Sequence, residues 1–120
     1  MTPGIILPTF SRRTALEPFT LTASRTRWKS RPSLTARGGV AAFFVNGIGA
    51  CLTGGEAPSF ALAIVECVDA DGRITAMPEM TQPRHGHGAA IVGLTAYALL
   101  GGERPGLHAS STIESLPLGD

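Results

Sequence analysis

Apolar residues fall into short runs along this chain, each closed by glycine or by a polar turn. The clearest runs cover residues 40–45, 48–53, 62–68, 89–92 and 95–100. Runs this short suit strands better than helices. Asn46-Gly47 and Gly93 separate neighbouring runs and can supply the positive φ of a tight turn, so 40–45 with 48–53 and 89–92 with 95–100 read as hairpins. After a looser loop, residues 62–68 read as a third strand, Asp69-Ala70-Asp71-Gly72 as a turn and residues 73–77 as a fourth strand. Runs without alternation imply strands covered on both faces, which stacked sheets provide. The predicted class is all-β with antiparallel strands.

The pattern repeats. A shift of 47 residues lays Arg37 on Arg84, Gly39 on Gly86, Ala42 on Ala89, Val45 on Val92 and Leu52 on Leu99. It also lays Gly54-Gly55-Glu56 on Gly101-Gly102-Glu103 and Pro58 on Pro105. With one residue of slippage the match continues from Ile64-Val65-Glu66 to Thr112-Ile113-Glu114, and upstream Pro32-Ser33-Leu34-Thr35 answers Pro78-Glu79-Met80-Thr81. Each unit therefore has an arginine, a hairpin, a glycine pair and a later glutamate. The glycine pairs end the second strands because a residue without Cβ tolerates left-handed backbone and lets a neighbouring chain approach closely.

These residues resemble the kelch repeat, whose propeller blades carry an arginine before the first strand, a double glycine after the second, a glutamate in the third and a tryptophan in the fourth. Residues 83–92 followed by 96–102 look like a kelch half-blade, including Tyr97 four residues before the glycine pair. In the middle copy Ala50 stands where that tyrosine is expected, and Ile74 near the place of the tryptophan. Leu16-Glu17-Pro18-Phe19 and Trp28 look like the tail of a preceding blade. The resemblance implies an unassigned segment 1–13, a blade tail and lead-in 14–36, a repeat 37–83 and a partial repeat 84–120. It gives Gly54, Gly55, Gly101, Gly102, Trp28 and Tyr97 structural roles. Propellers close with about four to eight blades, whereas 120 residues hold two and a half units of this length. A fragment of a longer reading frame, self-association that covers open blade faces, and a small open stack are the three expectations.

Charge narrows the functional classes. The formal net charge is +1, too near neutral for a dedicated nucleic-acid binder. Arg12, Arg13, Arg25, Arg27, Lys29, Arg31 and Arg37 do form a basic flank, read as solvated. No stretch is long and apolar enough for a membrane span, since the uncharged residues 88–102 are short and interrupted by four glycines. Arg12-Arg13 resembles the start of a twin-arginine export signal, but Glu17 and Pro18 break the apolar stretch that should follow. The expected compartment is cytoplasmic, with export as the alternative. Cys51 and Cys67 lie in apolar runs and are expected as buried reduced thiols, a single disulfide being the alternative.

Few residues offer chemistry. His85 and His87 have the i, i+2 spacing that puts two imidazoles on one face of a strand, as a metal site requires, yet only His108 presents itself as a third ligand. The copper site of galactose oxidase, a kelch-type enzyme, uses two tyrosines, and this chain has one. No serine lies in a nucleophile elbow. Residues 103–108, Glu-Arg-Pro-Gly-Leu-His, are similar to a loop of kelch-type sialic acid mutarotases in which an acid and a following arginine contact the sugar; here His108 stands in the arginine's place. Glu56 and Glu103 can instead cap the turns after the glycine pairs. Arg37 and Arg84 can bind anionic ligands or tie loop carbonyls, and the latter role is favoured. The expected function is noncatalytic recognition of protein or carbohydrate through Arg37, Arg84, Glu56 and Glu103, without cofactor, nucleic acid or membrane. The alternative is part of a kelch sugar enzyme with Glu103 and His108 at its substrate.

Overall fold

The computed structural model describes residues 27–119, and the expectations for Arg12, Arg13, residues 16–19 and Arg25 lie outside them. The chain divides into two units, residues 1–30 and residues 31–120. In the first, Trp28 is fully exposed and belongs to no strand, so the structural role expected for it is not seen.

The second unit is all-β. β1 (Ala41–Val45), β2 (Gly49–Thr53), β3 (Val65–Val68) and β4 (Ile74–Met77) form one antiparallel sheet in the order β1-β2-β3-β4. β5 (Gly88–Val92), β6 (Thr95–Leu99) and β7 (Ile113–Pro117) form a second, in the order β5-β6-β7. Neither sheet closes into a barrel. The Asp69 turn forms as expected, its carboxylate accepting from the backbone N–H groups of Asp71 and Arg73 at 2.9 Å.

Four strands are shorter than their apolar runs, β1 and β2 by one residue at the start and β3 and β6 for identifiable reasons. β3 begins at Val65, because the backbone of residues 62 and 63 is committed elsewhere: Leu62 N–H donates to Gly55 O, while the Leu62 and Ala63 carbonyls accept from Arg84 and Met80 N–H. β6 stops at Leu99, because Leu100 adopts φ +64°.

Burial alternates along β1, β2, β3, β6 and β7, contrary to the expectation of cover on both faces. Along β1, Ala41, Phe43 and Val45 are half-buried while Ala42 and Phe44 are exposed. On the covered face of the first sheet, Cys51, Thr53, Val65 and Cys67 are buried, and across from them the second sheet buries Ala96 and Ala98. The core is these few small side chains, which is little apolar surface for a unit this size.

The cysteines correct a second expectation. Cys51 and Cys67 are fully buried as read, but they face each other in the β2–β3 register with Cα atoms 4.0 Å apart and form a disulfide. Strand pairing brings them together, and spacing in the sequence does not show it.

The register also revises the repeat. The β1–β2 connection has three residues, Asn46 to Ile48, and the β5–β6 connection has two, Gly93 and Leu94. Since Ala41 pairs Thr53 and Gly88 pairs Leu99, the structural offset falls from 47 to 46 beyond the turn. Cys51, not Ala50, stands at the place of Tyr97, and Gly54, Gly55 and Glu56 stand at the places of Leu100, Gly101 and Gly102.

Candidate functional site

The arginine at the head of each repeat ties the strands of its own sheet. Arg37 donates through Nη1 to Glu66 Oε1 at 2.7 Å and to Thr35 O at 2.9 Å, through Nε to Gly54 O at 2.5 Å and through Nη2 to Leu52 O at 3.3 Å. Arg84 donates to Glu114 Oε2 at 2.9 Å, to Leu100 O at 2.9 Å, and to both Thr112 O and Thr112 Oγ1 at 3.1 Å. The two side chains are 1% and 0% exposed, so neither guanidinium faces a ligand. A planar fork with five donors suits this convergence of carbonyls and carboxylate.

A threonine completes each tie. Thr35 gives Glu66 its backbone N–H and its hydroxyl, and Thr81 gives Glu114 the same pair, joined by Gln82 N–H. Burial opposes ionisation of Glu66, but the Thr35 hydroxyl and backbone bonds and Arg37 outweigh it and hold the carboxyl below its ordinary 4.5. Burial likewise opposes ionisation of Glu114, and the bonds from Thr81, Arg84 and Gln82 outweigh it in the same direction. The sequence shows Glu66, Glu114, Thr35 and Thr81 as matching repeat positions but gives them no role at a site.

The two acids expected to be equivalent differ. Glu56 bridges to Gly38 and Ala61 through its backbone, while its carboxylate lies 3.7 Å from His85 Nδ1 and accepts from Gly106 N–H at 3.4 Å. Glu103 instead accepts from Gln82 Nε2 at 2.5 Å. The offset of 46 explains this: the residue at the place of Glu56 is Gly102, and it bridges to His85.

The histidines do not converge. Both precede β5, where His85 Nε2 lies 2.7 Å from Arg104 O and His87 Nε2 lies 2.6 Å from Thr53 Oγ1. His108 is exposed, and its carbonyl lies where a Cβ on Gly102 would reach it. Among the described residues no group of three His, Cys, Asp or Glu is placed to hold a metal. His87 Nε2 and the Thr53 hydroxyl share one hydrogen bond whose direction depends on the ring's tautomer, and Nδ1 is left buried without a partner. Burial, then the charges of Arg84 and His85, push the His87 pKa down to about 4.

The glycine pairs admit neighbouring backbone. A Cβ on Gly54, at φ +64°, would lie 2.2 Å from Arg84 O, and one on Gly101, at φ +82°, would lie 2.6 Å from His85 O. Gly55 and Gly102 are equally confined, by Gly38 O at 2.7 Å and His108 O at 2.6 Å. Between the two sheets lies a cleft of about 120 Å³ walled by Phe43, Val65, Met80, Ala96, Tyr97 and Ala98. Glu114 also borders it, but both its oxygens are engaged.

No helix of the described residues is long and apolar enough to cross a membrane. Comparison of the chain with protein-family models and with curated proteins finds no match.

Proposed function

We propose that this chain is a kelch-type repeat module that acts by noncatalytic recognition of a protein or carbohydrate. The observation that carries the reading is the repeated tie. Arg37 with Glu66 and Arg84 with Glu114 use the charges of the repeat to join strand ends and leave them nothing to offer a substrate. The scaffold then displays loops, chiefly 56–62 and 102–112, and loops on a fixed frame are where binding residues concentrate. Of the compartments read from the sequence, the Cys51–Cys67 bond favours the exported alternative over the cytoplasmic one, since disulfides persist in oxidising surroundings.

The test is titration of the full chain with neutral and anionic saccharides by calorimetry, alongside a polarimetric assay for sugar mutarotation. Saturable binding without turnover fits the recognition reading. Turnover that Glu103→Gln abolishes while the circular dichroism spectrum is unchanged replaces it with the sugar-enzyme alternative, in which Glu103 and His108 meet the substrate.

A further inference from the structure

The contact between the two sheets is a template for contacts that the described residues leave unmade. The first sheet presents Phe43, Thr53 and Val65 to the second, which answers with Ala96, Ala98 and Leu116. Backbone bonds form the seam: Arg84 N–H donates to Leu62 O, Gly55 N–H to Arg84 O, Met80 N–H to Ala63 O and Gly86 N–H to Gly39 O, all at 2.8 to 3.1 Å.

Each sheet has a second, uncovered face. On the second sheet it carries Val92, 66% exposed, and Ile113, 60% exposed, with Tyr97 and Leu99 between them. By register these stand where Val45, Val65, Cys51 and Thr53 stand on the covered face of the first. On the first sheet the uncovered face carries Phe44, 64% exposed, and Ile74, with Ala42 and Leu52. Phe44, Ala42 and Leu52 stand where Ile91, Ala89 and Ala98 stand on the covered face of the second. The charged residue on these faces, Glu66, is tied to Arg37. The seam groups recur as well. Gly101 N–H, at the place of Gly55, has no backbone partner among the described residues, and Ser110 stands at the place of Leu62, each donating its N–H to the matching glycine carbonyl.

We propose that these two faces are the halves of one interface and that the partner is a second copy of this chain. The first sheet of one copy seats on the second sheet of the next, with the Arg37 carbonyl received by Gly101 N–H. The halves are different surfaces, so the contact is head-to-tail and propagates unless its rotation closes a ring.

One residue opposes it. Leu100 occupies the place of Gly54 with the same φ of +64°. At Gly54 the missing Cβ is what admits the carbonyl of the neighbouring sheet, 2.2 Å from where a Cβ would be. Leu100 therefore crowds the position that the incoming Arg37 carbonyl takes and weakens the association without removing the apolar contact around it.

Sedimentation velocity of the full chain, from low micromolar to submillimolar concentration, tests this. The wild-type chain should gain mass with concentration, and Leu100→Gly should do so at concentrations lower by about tenfold or more. Phe44→Lys and Ile113→Lys alter exposed positions and should each remain monomeric with an unchanged circular dichroism spectrum. Mixed together they should form a dimer and nothing larger, because each keeps the half that the other lacks. Val92→Lys substitutes for Ile113→Lys if the latter does not fold. A wild-type chain and a Leu100→Gly chain that both stay monomeric overturn the proposal, as does self-association of either lysine variant alone. Neither result touches the recognition reading, which the saccharide titrations decide.

Discussion

Cys51 and Tyr97 occupy the same place in their two sheets, each at the centre of the second strand and each paired across to the third, Cys51 with Cys67 and Tyr97 with Ser115. In the first sheet that pair is a covalent bond in the core, and in the second it is an aromatic side chain beside a hydroxyl. The first sheet therefore has a crosslink in its core where the second has an uncrosslinked pair on its open face.

The crosslink spans 16 residues, and closing a loop of about 15 residues lowers the entropy of the unfolded chain enough to stabilise the fold by about 3 kcal/mol. A dithiol reductant should lower the melting temperature of the wild-type chain. Cys51→Ala combined with Cys67→Ala should melt lower from the start and show no response to reductant. Equal melting temperatures with and without reductant, with free thiols demonstrated by alkylation, would contradict the stabilising role.

Gly54 and Gly47 separate backbone geometry from steric confinement. Both have positive φ, +64° and +84°, so alanine at either position costs about 1–2 kcal/mol from left-handed backbone alone. A Cβ on Gly47 meets nothing within 4 Å, whereas one on Gly54 meets Arg84 O at 2.2 Å and the His87 ring at 2.8 Å. Gly54→Ala should therefore destabilise well beyond Gly47→Ala and disturb the seam between the sheets. Chemical denaturation of the two variants in parallel decides it, and equal losses would mean that the seam is soft.

How far the sequence foretold this depends on which residues must meet. The apolar runs give six of the seven strands within a few residues, because strand pairing here is local and a short turn follows each first strand. Arg37 and Arg84 are legible as structural for a similar reason: each matches the other, and so do the acids that they reach. What escapes is whatever a single deleted turn residue moves. A two-residue connection after β5 slides the second sheet by one position, and that slip separates Glu56 from Glu103, pairs Gly54 with Leu100 and sets Cys51 at the place of Tyr97. Matching letters at a fixed offset cannot register it, since the glycine pairs still align in sequence.

The ties also set the response to acid. Glu66 and Glu114 both ionise more readily in the folded state than their ordinary 4.5 allows. A depressed carboxylate favours folding above the unfolded pKa and loses that contribution as pH falls through the folded one, so stability should decline below about pH 4.5. Glu114→Gln should remove part of this decline. It should also destabilise at neutral pH by about 3–5 kcal/mol, because it leaves the fully buried Arg84 charge without its counterion. Arg84→Lys should not rescue the fold, since an ammonium cannot reach Leu100 O, Thr112 and Glu114 from one plane. A Glu114→Gln chain as stable as wild type at pH 7 would show that the tie is dispensable.

His87 adds a separate and milder step. Its pKa is about 4 in the folded chain against an ordinary 6.5, so between those values the unfolded state binds the proton that the folded state refuses. Stability should therefore fall as pH drops from 6.5 to 4 and level off with respect to this group below that. The structural reason is specific. The protonated ring carries a hydrogen on both nitrogens, and Nδ1 is buried without an acceptor, with the cationic Arg84 acting against the added charge. His87→Gln keeps a donor for Thr53 and carries no titrating group, so its melting temperature should stay flat from pH 6.5 to 4.5 and then fall with the carboxylates. A wild-type chain whose melting temperature is also flat over that range would mean that His87 titrates freely in the folded state, and that its ring is not confined between Thr53 and Gly54.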